Sequence, residues 1–315
     1  MVNITGSTQL LGVMGYPIEH SLSPALHNAA LFSRAVALAS AEFKSAEFKS
    51  AEPELEYIYL PLKVAPEHLG AALQGMMATG WRGFNVTIPH KQAVMPYLQQ
   101  ISPLAEAVGA VNTVWREGEA WAGTNTDVHG FLAPLQAYEV NWSAVDACVL
   151  GGGGAARAVV VACAQLGCRS VRVVGRDRAK LEPLQHSLGV SLKTLGLDTP
   201  LSIAEWQDLD QYLPQAGLLV NTTPIGMYPK VGESPLSSER IERLPLRAIV
   251  YDLIYTPRPT KLLADAQALG YRVLDGLEML IHQGAAAFEI WVGEPPSIAA
   301  MRQAAIAQLQ PSPKA

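Results

Sequence analysis

The stretch VDACVLGGGGAARAVVVACAQLGCRSVRVVGRD, residues 145–177, limits the fold more than any other part of the chain. An apolar run ends in four glycines, a helical pattern follows, and a second valine-rich run closes the segment. That order reads as strand, glycine loop, helix, strand, the βαβ unit of a parallel sheet with helices on its faces. Gly151, Gly153 and Ala156 fit G-x-G-x-x-A. In that pattern the first glycine permits the tight turn, and the second lets the backbone approach a pyrophosphate. The small third residue lets helix and strand pack closely. The helix N-terminus then offers free N–H groups and a partial positive charge. A plain βα turn that uses glycine for geometry is the simpler alternative.

The end of the next strand bears on which dinucleotide is bound. An acidic residue there accepts from the ribose hydroxyls of NAD. This chain has Gly175 and Arg176 at that place, with Lys180 one helical turn on. A guanidinium can hold a 2′-phosphate with two parallel bonds, which favours NADP. Asp177 stands beside Arg176 and works against that reading. It can accept from a ribose hydroxyl, or it can cap the helix that follows.

Upstream, short apolar runs alternate with helical stretches. QLLGVMG, EYIYLPLKV and GFNVTIP read as strands. SPALHNAALFSRAVALA and PEHLGAALQGMMATG read as helices, so the first part is a largely parallel α/β domain. Past the glycine loop, AGLLVNTTPIGM, RAIVYDLIY and YRVLDG read as further strands, and LEMLIHQGAAAFEIWVG as a helix returning to the first domain. The expected plan is residues 1–126, completed by 277–315, around a nucleotide domain of 127–276. The pentapeptide repeat AEFKSAEFKSAE, Ala41 to Glu52, reads as an exposed insertion with no chemical role.

Composition excludes several classes. The chain has 315 residues with net charge −5, which gives no electrostatic footprint for nucleic acid. No apolar run reaches the ~18 residues that span a bilayer. Three cysteines, Cys148, Cys163 and Cys168, lie in apolar surroundings without metal spacing, as in a reduced cytoplasmic protein. The N-terminus lacks the basic and apolar regions of a secretory leader. No HExxH, GxSxG or GK[ST] pattern points to other chemistry.

The segment GFNVTIPHK, Gly83 to Lys91, alternates Phe84, Val86 and Ile88 with Asn85 and Thr87. That is a strand ended by Pro89, with a lysine just past the break. Other small polar residues share its style at strand ends: Ser21 and Ser23, Asn112, Asp127, and Gln283 on an otherwise apolar helical stripe. Each alone suits a cap or a turn. Together they suit a molecule with several hydroxyls and one carboxylate. If its secondary alcohol loses hydride, the O–H proton needs a base. Lys91 can serve, with Asp127 to orient it and counter its charge. The alternatives for that pair are a surface salt bridge of little consequence, or two residues that never meet.

These motifs, GYPIEHSLSPALHN, GFNVTIPHK, AVNT, GTNTD, GGGGAARA, VVGRD, NTTPIGM, YTPRPTKLL and DGLEMLIHQGAAAF, stand in the order of one family across nearly the whole length. The chain resembles the shikimate dehydrogenases. The resemblance implies an α/β protein of two domains, a substrate domain and a Rossmann-like NADP-binding domain. It implies reversible NADPH-dependent reduction of 3-dehydroshikimate to shikimate in aromatic amino-acid biosynthesis. By the same resemblance Lys91 and Asp127 form the catalytic pair, either of which can be written as the proton carrier. Ser21 and Ser23 match the serines that hold the substrate carboxylate, Asn85, Thr87, Asn112 and Gln283 match ligands of the ring hydroxyls, and Tyr255 matches a pocket tyrosine. Gly151, Gly152, Gly153, Gly154 and Ala155 match the pyrophosphate loop, Arg176 and Lys180 the adenosine-phosphate grip, and Thr222, Met227, Leu253 and Gly276 further cofactor contacts. The chain departs from the family at Asp177, commonly a small hydroxyl residue, and at Gly175, often asparagine. Expected partners are a small-molecule substrate and at most a second copy of the chain, with no nucleic acid, membrane or metal. The alternatives are an NAD-using quinate/shikimate dehydrogenase, against which both serines speak, and a non-catalytic NADP-binding regulatory protein, against which Lys91 and Asp127 speak.

Overall fold

The computed structural model describes residues 3–43 and 54–310, with side chains at 41–43 left aside. The AEFKS repeat lies outside the described residues apart from its first three, which end a helix. The chain divides into two compact units, 1–105 with 110–126 and 284–315, and 106–109 with 127–283.

Unit one opens with strand β1 (Gln9–Gly15), helix α1 (Ser23–Phe43), β2 (Tyr57–Lys63) and helix α2 (Leu69–Ala78). Strand β3 (Gly83–Val86) leads into the one-turn helix α3 (His90–Ala93), then β4 (Gln100–Ile101) and helix α4 (Pro103–Val108). A hairpin of β5 (Thr113–Glu117) and β6 (Ala120–Thr124) completes a six-stranded sheet in the order β2-β1-β3-β5-β6-β4. The β1–β2, β1–β3 and β4–β6 pairs are parallel. The β3–β5 and β5–β6 pairs are antiparallel, so the sheet is mixed, although its first half follows the βαβαβ rhythm.

Unit two begins with helix α5 (Asp127–Gln136), strand β7 (Asp146–Leu150), helix α6 (Gly154–Gln165), β8 (Ser170–Gly175) and helix α7 (Arg178–Thr194). It continues through β9 (Leu201–Glu205), β10 (Ala216–Asn221), the short helix α8 (Ser238–Ile241), β11 (Ile249–Asp252), helix α9 (Lys261–Ala268) and β12 (Arg272–Leu274). Its sheet is wholly parallel in the order β12-β11-β10-β7-β8-β9. That order reverses direction beside β7, the place where open α/β sheets bind ligands at their carboxyl ends. Helix α10 (Gly276–Val292) starts in unit two and ends in unit one, followed there by α11 (Ile298–Leu309).

Strand β3 corrects the sequence reading. It stops at Val86, and Ile88 is 73% exposed, so Ile88 is not a core residue. The physical reason is that the ladder of β3 with β1 and β5 ends at Val86, and Ile88 lies past it in the turn before Pro89. All four residues of β3 are buried, and alternation no longer sorts core from solvent. Thr87 keeps one link to the sheet, donating its N–H to Met14 O at 2.9 Å, and then its own carbonyl turns the chain by accepting from His90 N at 2.9 Å.

Each unit has its own core. In unit one, Met14, Leu73, Phe84, Val86, Val114 and Trp121 pack as one cluster. The returning end of α10 joins this unit through Trp291, which is 1% exposed and donates its indole N–H to Val114 O at 2.9 Å. In unit two, Cys148, Leu150, Val174, Leu219 and Val250 pack under the sheet. The three cysteines are buried and unbridged. Burial pushes the Cys148 thiol up to about 12, so it is inert at neutral pH. Among the described residues no helix is long and apolar enough to cross a membrane.

Candidate functional site

In unit one the predicted polar residues gather on a shared hydrogen-bonded frame. Tyr59 is fully buried on β2, and its hydroxyl donates to Asn85 Oδ1 at 2.7 Å. This bond fixes the orientation of the Asn85 amide. Its Nδ2 then donates to Asn112 O and to Thr113 Oγ1, both at 3.1 Å. Asn112 Oδ1 in turn accepts from the N–H of Thr126 at 2.7 Å and from the hydroxyls of Thr126 and Thr113 at 3.1 and 3.0 Å. Both donors of Asn85 are thus spent inside the protein. What its side chain has left for a ligand is acceptor capacity on Oδ1, which suits a substrate hydroxyl.

Ser21 and Ser23 sit at the start of α1. Ser21 Oγ accepts from Ser23 N at 3.3 Å, so Ser21 does act as a cap. Ser23 is 8% exposed. Burial raises the Tyr59 phenol well above its usual value, and Ser23 partly offsets this. One turn along α1 from Ser23, His27 is 1% exposed and stacks on Tyr59 with ring centroids 4.2 Å apart. Neither ring nitrogen of His27 has a hydrogen-bond partner among the described residues. Burial holds the imidazole neutral, lowering its pKa to about 3, with Asn85 acting in the opposite direction.

Lys91 lies in α3, a single turn too short to be stable alone. Tertiary bonds hold it. The buried ring of His90 donates from Nε2 to Val64 O at 2.7 Å, since a carbonyl can only accept. Lys91 O accepts from Val111 N at 2.8 Å, next to Asn112. Thr87 packs its methyl over Gly15, where an added Cβ would run into Thr87 Cγ2.

In unit two, Asp127 opens α5 directly after Thr126. Gln283 is 9% exposed on α10 and donates from Nε2 to Leu280 O at 2.9 Å. Helices α5 and α10 touch at Gly130. A Cβ there would come within 2.5 Å of Met279 O and 2.9 Å of Gln283 N. Tyr255 is half-buried, and burial raises its pKa.

The glycine loop also lies in unit two and follows β7. Gly151 has φ +102°, which only glycine adopts without strain. Its N–H donates to Val174 O at 2.8 Å. Gly153 caps α6 without a side-chain bond, and open space lies beside Gly153 and Gly154. Gly152 to Ala155 are exposed, so the first-turn N–H groups of α6 are available to an anion, which fits a dinucleotide pyrophosphate. Across from the loop, Thr222 Oγ1 donates to Leu150 O at 2.7 Å, and Leu253 N donates to Asn221 O at 3.1 Å. Gly276 lets the chain pass Leu253, whose carbonyl oxygen would collide with any Cβ at that position. Met227 is exposed in the turn after β10. Arg176 and Lys180 are exposed at the end of β8 and the start of α7. Asp177 caps α7, its Oδ1 accepting from Ala179 N at 3.1 Å, and its other oxygen stays open to further contacts.

Several partners were invisible in the sequence. Tyr59 looked like one more strand residue, while Thr113 and Thr126 lay unremarked inside the quoted motifs AVNT and GTNTD. Asp252 and Asn221, both fully buried at the ends of β11 and β10, join side chains at 3.0 Å. Thr260 Oγ1 donates to Asp252 Oδ2 at 2.7 Å. Burial pushes the Asp252 carboxyl up to about 6 against these bonds. The clamp ties together the loops that carry Thr222 and Leu253. Its signal in the sequence was an asparagine and an aspartate each ending an apolar strand.

Comparison with known proteins agrees with this arrangement. The family described as shikimate dehydrogenase substrate binding domain matches residues 13–114, and the shikimate 5′-dehydrogenase C-terminal domain matches residues 276–306. The NADP(+) shikimate dehydrogenase of Microcystis aeruginosa is 49% identical over 98% of this chain and 100% of its own length. A shikimate dehydrogenase solved in complex with NADP+ is 35% identical, with a TM-score of 0.82 and 98% of each chain covered. The Thermus thermophilus enzyme, solved with NADP(H) and shikimate, is 33% identical with a TM-score of 0.78, covering 96% of this chain and 100% of the other.

Proposed function

The chain belongs to the shikimate dehydrogenase family, and we propose that it interconverts 3-dehydroshikimate and shikimate with NADP(H), as a cytoplasmic enzyme of aromatic amino-acid biosynthesis. Residues 1–126, completed by 277–315, form the substrate-binding domain, and 127–276 the NADP-binding domain. Bound NADP(H) supplies the acceptor and donor of hydride. The chain supplies everything else. Ser21 and Ser23 take the carboxylate. Asn85 accepts from a ring hydroxyl, and Thr87, Asn112, Tyr255 and Gln283 hold the remaining polar groups of the ring. When the alcohol carbon loses hydride, its O–H proton must leave, and Lys91 and Asp127 are the pair that holds it. Gly151 to Ala155 receive the pyrophosphate at the α6 N-terminus, and Arg176 with Lys180 receive the ribose phosphate. Thr222, Met227, Leu253 and Gly276 complete the cofactor site.

One observation carries this reading. A single frame within unit one runs from Tyr59 through Asn85 to Asn112 and Thr126, and the backbone of Lys91 is tied in beside it. The Val111 N–H, next to Asn112, donates to Lys91 O at 2.8 Å, and Asp127 opens the first helix of unit two directly after Thr126. A polar network this deeply buried is costly unless complete, and here its members satisfy one another. Lys91→Ala should abolish turnover while leaving the melting temperature and NADP affinity nearly unchanged. A large loss of stability with partial turnover would show a structural lysine instead.

A further inference from the structure

Among the groups at the end of β8, one carboxylate stands against the chemistry around it. Arg176, Arg178 and Lys180 crowd the start of α7. Arg178 donates to Glu182 at 2.9 Å along the helix, which takes it out of play. Arg176 has no ion-pair partner among the described residues. Lys180 has its Nζ 3.6 Å from Asp177 Oδ2. The other oxygen of Asp177 holds the Ala179 N–H. A single half-exposed carboxylate therefore occupies two donors that an incoming anion would use, a first-turn N–H of α7 and the lysine ammonium.

We propose that Asp177 sets the NADP-to-NAD preference of this chain, acting against NADP as a built-in competitor for the 2′-phosphate. The proposal rests on reading Arg176 and Lys180 as the grip on that phosphate. A 2′-phosphate brings up to two negative charges close to the Asp177 carboxylate and must also draw Lys180 away from it. At an exposed site the repulsion is modest and screened by salt. The same carboxylate can accept from the free 2′-hydroxyl of NAD, as acidic residues at this strand end do. One group thus lowers affinity for one cofactor and raises it for the other.

Asp177→Ser and Asp177→Asn remove the charge while keeping a good helix cap, so the fold is preserved. The measurement is the dissociation constant of NADPH and of NADH, from nucleotide fluorescence without substrate, at low and high salt. NADPH should bind about tenfold tighter in both variants at low ionic strength, with the gain shrinking at high salt, and NADH should bind more weakly. Equal shifts for both nucleotides, or no tightening of NADPH, would overturn the proposal. Arg176→Ala, measured alongside, separates the two layers of the argument. If it weakens NADPH and NADH alike, the grip reading falls and the proposal with it. If it weakens NADPH selectively while the Asp177 variants change nothing, only the proposal falls.

Discussion

His27 offers the sharpest quantitative test of the buried frame. It is neutral and fully enclosed, with its pKa lowered from 6.5 to about 3. The unfolded chain therefore binds a proton between these values that the folded chain refuses. Stability associated with His27 is complete above pH 6.5 and is lost as pH falls toward 3. At 1.36 kcal/mol per pH unit, the loss is about 2 kcal/mol at pH 5 and about 5 kcal/mol once pH is well below 3. Asp252 has the opposite sign. Its pKa is raised from 3.8 to about 6, so its stabilising contribution is present below 3.8 and lost as pH rises through 6. Between pH 7 and pH 5 Asp252 returns about 1 kcal/mol, so in the wild type the two groups largely offset each other. His27→Gln removes one side of that balance. The perturbation is read as the difference between variant and wild type, by urea unfolding with tryptophan fluorescence at pH 7 and pH 5. Packing losses cancel in that comparison, as do the other titrating groups. The variant should gain about 2 kcal/mol on wild type as pH falls from 7 to 5. A difference that stays constant across this range would refute the account of His27 as a buried neutral base.

Contacts within single units yield two more expectations. Gly130→Ala should cost about 1–3 kcal/mol, because the atoms its Cβ meets are backbone of α10 and cannot yield without moving Gln283. Its signature is a raised KM for shikimate with NADPH affinity unchanged, checked by steady-state kinetics and fluorescence titration. His90→Phe should leave Val64 O without its donor, loosen α3 and lower kcat by about tenfold with little change in NADPH affinity. His90→Gln carries an N–H near the position of Nε2 and should recover most of that rate. Equal kcat in Phe and Gln variants would mean that His90 does not position Lys91.

How far the sequence could be read depended on whether local chemistry or tertiary contact decided each feature. The glycine loop was legible because a turn at φ +102° and a bare helix N-terminus demand particular residues at particular places. The mixed character of the first sheet was not, since antiparallel pairing of β5 with β3 depends on a hairpin whose strands carry no distinct signature. The end of β3 was placed two residues late, because the apolar alternation runs on through Ile88 while the ladder stops at Val86. Asn85 and Asn112 stood out by residue type, but their bonding to each other and to their neighbours did not. Which lone pairs of the two amides stay unused depends on Tyr59, Thr113 and Thr126, brought from other strands and loops. Asp177 was ambiguous for the same reason, because a cap and a ribose ligand look alike until the helix start is located.

Oxidation of shikimate with NADP is the activity on which the fold, the buried frame and the glycine loop converge. The direct measurement is the initial rate of nicotinamide reduction by the purified full chain, with shikimate or quinate as substrate and NADP or NAD as acceptor. The highest kcat/KM is expected for shikimate with NADP, and none measurable in the Lys91→Ala variant. Absence of turnover in all four combinations, or preference for quinate with NAD, would contradict it.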